Sequence, residues 1–95
     1  MERLLRMLGT FDKKETRLFD QFVRSPFFNQ HLDTIALWEK IRPYLVLSPP
    51  STPQPETIWE ALFPNQSFVP QKLYELCYYL RRLLKAFFVQ METQS

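Results

Sequence analysis

Glycine is almost missing from this chain: one residue in 95, against eight prolines. Tight β-hairpins rely on glycine at positive φ, so the composition argues against a β-rich fold. Cysteine and histidine also occur once each, as Cys77 and His31. One of each cannot assemble a structural zinc site, and Cys77 cannot close a disulfide within the chain. Phosphate-cradling loops need clustered glycines, whereas Gly9 stands alone. Long apolar runs are missing too. Stretches such as "AFFV" fall far short of the roughly 20 residues that span a bilayer. The opening "MERLLRMLG" holds no apolar region long enough for a secretory signal. Together these absences imply a cytoplasmic protein with no metal, cofactor or membrane segment.

Aromatic residues, by contrast, are abundant. Nine Phe, four Tyr and two Trp are far more than a disordered segment carries, so a packed core is expected. A chain this short makes one domain and buries only about 60 to 65% of its unfolded surface. Twelve Lys and Arg oppose ten Asp and Glu, a net charge of +2. That balance permits a polyanionic partner only if the cations are segregated.

Hydrophobic periodicity and capping residues predict a small all-α, orthogonal or bundle-like domain of about five helices, near 2–8, 12–24, 30–46, 55–63 and 70–91. Gly9 stops the first. Asp12 and Glu15 have capping-box spacing at the head of the second, whose Leu18, Phe19, Phe22 and Val23 form an apolar stripe. Its Lys13, Arg17 and Arg24 line another stripe, where Asp20 sits i+4 from Arg24 and implies a solvated, salt-bridged face. Ser25-Pro26 ends this helix, and Asn29 is placed to cap the third. The third carries Leu32, Ile35, Trp38, Ile41 and Leu45, with Pro43 set to kink or restart it. Residues 48–54 read as a proline-rich loop. Pro55 opens the fourth helix and Pro64 stops it.

Phe27 and Phe28 fall in the short link between the second and third helices. Their closeness in sequence to Phe19, Phe22 and Leu32 predicts a structural pin, with at least one of the pair buried in the interhelical angle.

The last helix is the most regular. Leu73, Cys77, Leu80, Leu84, Phe87 and Met91 step by four and three residues, a seam widened by Leu76, Leu83 and Phe88. At 100° per residue this seam spans about −60° to +80° around Leu80. Opposite it, at about 100° to 200°, stand Arg81, Tyr74, Lys85, Tyr78, Val89 and Arg82. Cations interleaved with tyrosines form a candidate partner or nucleic-acid face, the cations for phosphate and the rings for stacking. A helix with two apolar faces can equally be covered by another helix, and both readings stand open.

Catalytic constellations are harder to find. Cys77 lies in the seam, where cysteine acts as a small hydrophobe, and His31 has no nucleophile beside it in sequence. Glu56 and Glu60 are the best carboxylate pair, yet they sit on a short helix after a proline loop and read as solvated dipole partners. The expectation is a non-catalytic helical interaction or scaffold module with a protein partner: the rest of a longer chain, a second copy, or another protein. Nucleic-acid binding through the last helix is the alternative.

The blocks "FDQFVRSPFFN", "LWEKI", "LFP" and "LLKAF" carry a resemblance. Phe19, Phe22, Ser25, Pro26, Phe27, Phe28 and Asn29 match an F-x-x-F-x-x-S-P-[FY]-F-N motif. Leu37, Trp38 and Ile41, then Leu62, Phe63 and Pro64, then Leu83, Leu84 and Phe87 match the elements that follow it. In these the chain resembles the N-terminal region of an uncharacterised family of Bacteroidetes proteins, much longer and largely helical. The resemblance implies an N-terminal piece of a larger protein and carries no activity. More loosely, residues 55–88 resemble the helix pair of response-regulator-type winged helices, which would put Gln71, Lys72, Tyr74, Glu75 and Tyr78 toward a major groove. No β-hairpin wing follows within these 95 residues.

Overall fold

A computed structural model describes residues 1–47 and 51–94. Five helices follow in order: α1 (Glu2–Leu8), α2 (Lys13–Arg24), α3 (Leu32–Leu45), α4 (Pro55–Leu62) and α5 (Pro70–Gln94). The Glu15 amide donates to Asp12 Oδ1 at 2.7 Å, and the Asp12 amide donates back to Glu15 Oε1 at 3.1 Å. This closes the expected capping box of α2. Pro55 takes the first position of α4, where a missing N–H costs nothing. After α4 the chain turns through Asn65 at φ 65, a left-handed conformation that asparagine tolerates. The Trp59 indole N–H holds that turn by donating to the Gln66 carbonyl at 3.0 Å.

Gly9 caps α1 at φ −65, so its left-handed freedom is unused. A Cβ there would lie 3.2 Å from the Leu5 carbonyl oxygen, tighter than an ordinary contact. Helix α3 continues through Pro43 to Leu45. Of the expected proline loop, residues 48–50 lie outside the described residues. Residues 51–54 are non-helical, Pro53 is buried, and the Ser51 amide donates to the Tyr44 carbonyl at 3.2 Å.

Helix α3 packs against each of the other four helices, and α5 packs against α1, α2 and α3. With 25 residues, α5 runs about 37 Å at 1.5 Å per residue and accounts for most of the longest dimension, 44 Å. The core is aromatic. Phe19 meets Trp38 edge-on at 5.0 Å, Phe87 at 5.2 Å and Phe11 at 6.0 Å between ring centroids. Such tilted pairs add about 0.5–1.5 kcal/mol each beyond simple burial. The α5 seam is buried at Leu73, Leu76, Cys77, Leu80, Leu84 and Phe87. Leu83 and Phe88, at the two edges of the predicted arc, are half-buried, as that arc requires.

The "FVRSPFFN" link departs from expectation. Phe27 is 88% exposed and Phe28 41%, so neither ring is buried between α2 and α3. The pin is Asn29. Its side-chain amide donates to the Val23 carbonyl at 2.9 Å, and its Oδ1 accepts the His31 amide at 3.0 Å. A polar side chain whose two ends fit two orphan backbone groups is better placed there than a second ring. Phe28 lies flat on Phe22 at 4.3 Å, and Phe27 meets Phe28 edge-on at the outside. Capping of α3 therefore passes from Asn29 to His31, whose Nδ1 accepts the Thr34 amide at 3.2 Å.

Asp20 also departs from expectation. Its side chain is only 17% exposed, and one oxygen, Oδ1, serves three partners. Trp38 Nε1 donates at 2.9 Å, Arg24 Nε at 3.0 Å, and the Arg42 guanidinium lies at 3.0 Å. Arg24 also reaches Glu39 at 2.9 Å. What reads in sequence as a solvated pair is the polar bolt between α2 and α3. Desolvation pushes the Asp20 carboxyl upward, but the bonds from Trp38 and Arg24 and the charges of Arg24 and Arg42 outweigh it, leaving a net lowering.

Asn29→Ala should cost about 1–3 kcal/mol in urea titrations, since it strands buried backbone groups. Phe27→Ser should stay within about 0.5 kcal/mol, and Phe28→Ser should cost about 1 kcal/mol. Asp20→Ala should cost about 2 kcal/mol at neutral pH. Because the folded-state pKa is depressed, the Asp20 contribution is complete above the unfolded-state value and is lost as pH falls through the folded one. Wild-type stability should therefore drop below about pH 4, and the Asp20→Ala protein should show a shallower drop across that range.

Candidate interaction surface on the last helix

The side of α5 opposite its seam is uncovered by the rest of the described chain. Tyr74 is 61% exposed and Tyr78 46%, while Arg82, Lys85 and Val89 are exposed and Arg81 is half-buried. Of the two readings of this face, the one in which another helix of these residues covers it does not occur.

Tertiary packing adds to the face what helical spacing alone does not show. Arg3 and Met7 of α1 join Tyr78, Arg81, Arg82 and Lys85 around a recess of about 170 Å³. It is lined by four cations, a phenol and a thioether, with no carboxylate. Ion pairs among the described residues engage Arg6, Arg24 and Arg42, and none of the four recess cations. Helix α1 supplies Arg3 because Leu4, Leu5 and Leu8 are buried in the core and set its neighbours toward α5.

Arg82 also borders a second, more apolar recess of about 290 Å³, with Phe28, Asn29, His31, Thr34, Tyr79, Leu83 and Ala86. The His31 and Tyr79 rings lie 5.2 Å apart at 30°. His31 Nδ1 is engaged by both the Thr34 amide and the Thr34 hydroxyl, at 3.2 and 2.8 Å. An acceptor at Nδ1 places the neutral ring's proton on Nε2. Tyr79 falls outside both arcs of the helical wheel and Arg3 belongs to another helix, so the spacing along α5 points to neither. Phe27 and Phe28, predicted as a pin, instead extend this surface. Tyr74 borders a different recess of about 300 Å³, with Met1, Pro55, Glu56, Phe68, Pro70, Leu73 and Cys77. Of the residues that a winged-helix arrangement would use, Lys72 sits 4.2 Å above the Phe63 ring.

Burial pushes the Cys77 thiol upward, more than the positive N-terminus and Arg81 pull it down. That is the opposite of what a nucleophilic cysteine needs. Glu56 and Glu60 are both exposed. Among the described residues no cluster of three His, Cys, Asp or Glu could hold a metal ion, and no helix is long and apolar enough to cross a membrane. No buried side-chain nitrogen or oxygen among them lacks a hydrogen-bond partner. What the surface offers chemically is attraction for anions beside a shallow aromatic recess. No family model, curated protein or solved structure matches the chain.

Proposed function

We propose that this helical domain is a non-catalytic interaction module and that its partner is a protein. The observation that carries the proposal is the exposed group formed by Phe27, Phe28, Tyr78 and Tyr79, contiguous with the Arg3, Arg81, Arg82 and Lys85 recess. Aromatic and arginine side chains are the residue types that dominate protein interfaces, because they combine large contact area with directional hydrogen bonds. The buried, unpaired Cys77 supports a reducing compartment, and the cytoplasm is the proposed location. The resemblance through "SPFFN" supports a place at the start of a longer helical protein. The protein partner is then the remainder of that chain, a second copy, or another protein.

A second reading, nucleic-acid binding through Tyr74, Tyr78, Arg81, Arg82 and Lys85, is favoured by the gathering of four cations around one recess.

Affinity capture with the purified domain as bait, after nuclease digestion of the extract, separates the two. The expected outcome is a recovered protein that is lost with Tyr78→Asp/Tyr79→Asp while circular dichroism stays helical. Recovery that vanishes on nuclease treatment, or is equal for both baits, would overturn the protein reading.

A further inference from the structure

Three features of the basic recess define the ligand that would suit it. The recess is small, about 170 Å³, and every charged side chain lining it is positive. Arg81 and Lys85 are one helical turn apart on α5, about 6 Å along the axis, and Arg3 joins them from α1. Four like charges around one volume repel one another, so an anion bound among them relieves repulsion as well as adding attraction. Arginine forks favour oxyanions with several acceptor oxygens, and the Tyr78 hydroxyl supplies a further donor. The neighbouring recess, across Arg82, is larger and lined mainly by Phe28, His31, Tyr79, Leu83 and Ala86.

We propose that the Arg3, Arg81, Arg82 and Lys85 recess binds a phosphomonoester on a phosphorylated protein segment. An apolar side chain of the same segment occupies the Phe28, His31 and Tyr79 recess. This deepens the interaction-module reading and rests on it. The count of cations favours the more highly charged oxyanion. A phosphomonoester carries about −1.5 to −2 at neutral pH, whereas a carboxylate or a phosphodiester carries one charge. The source follows from layout. A nucleic-acid strand is tracked by a long groove of cations, because successive phosphates must each be met. Here the cations converge on one recess, and the chain as a whole is balanced, at net +2. Convergent arginines beside an apolar recess are how a phosphorylated motif is read: charge supplies affinity, and the neighbouring side chain supplies selectivity.

The test uses the whole 95-residue chain, with labelled side-chain N–H groups observed by NMR. Its probes are phenyl phosphate, inorganic phosphate, phenol and an oligothymidine of about eight nucleotides. Phenyl phosphate should shift the guanidinium signals of Arg3, Arg81 and Arg82 and perturb His31 and Tyr79, with inorganic phosphate binding more weakly and phenol not reaching the arginines. Arg81→Gln/Lys85→Gln, two changes on the uncovered face, should weaken phenyl phosphate at least ten-fold while the circular dichroism spectrum is retained. Absence of guanidinium shifts with either phosphate overturns the proposal. So does oligothymidine binding to the same residues more tightly than phenyl phosphate, which transfers the site to nucleic acid. Phosphatase treatment of the extract separates the two levels. Capture that survives dephosphorylation sinks the phosphoryl site and leaves the protein-partner reading standing.

Discussion

One buried indole organises the polar chemistry of this domain. Trp38 has no exposed surface, yet its ring N–H cannot be left without an acceptor at a cost below that of a lost hydrogen bond. The acceptor is a carboxylate, Asp20, on the neighbouring helix. A carboxylate drawn partly out of water is stabilised by nearby cations, and Arg24 and Arg42 supply them. Arg24 in turn reaches Glu39, so a requirement that begins in the core ends at the surface. The chain of partners joins α2 to α3 at one register. Since α3 touches every other helix, that register is inherited by the whole fold.

Around that bolt the packing is a matter of rings. Phe19 brings α2 against Trp38 of α3 and Phe87 of α5, and Phe11, in the link before α2, packs on both Phe19 and Phe87. In so small a domain, one helix can both complete the core and keep a side at the surface. Helix α5 does both. Its seam completes the core, and its other side adds a basic, tyrosine-bearing face that the described chain does not cover. The two roles coexist because a long straight helix presents opposite arcs independently, and nothing in the packing of one arc constrains the residue types of the other.

The helices were legible in the sequence because their signals are local. A capping box lies within four residues, a proline acts on its immediate neighbours, and a seam repeats within one helix. The same locality explains what was not legible. Asp20 and Arg24 have the spacing of an ordinary surface pair, and only the approach of Trp38 and Arg42 makes Asp20 a bolt. Phe27 and Phe28 sit beside core residues in sequence, but the direction of the turn after Ser25 carries them outward and gives the inner position to Asn29. At the candidate surface, Tyr78, Arg81, Arg82 and Lys85 could be found on one helical arc. Arg3 and His31 could not, because two other parts of the chain bring them there.

His31 shows how closely scaffold and surface are joined in a domain of this size. One edge of its ring is the acceptor that starts α3; its body is a wall of the aromatic recess, tilted 30° to Tyr79. An alanine at this position would therefore loosen the hub helix and reshape the recess at once, and a loss of binding could not be assigned to either. Asparagine is the more instructive replacement, since it keeps an oxygen acceptor for the helix start while removing the ring. In a protein with so few residues to spare, the same side chain is both a fastening and a feature, and its two edges have to be read separately.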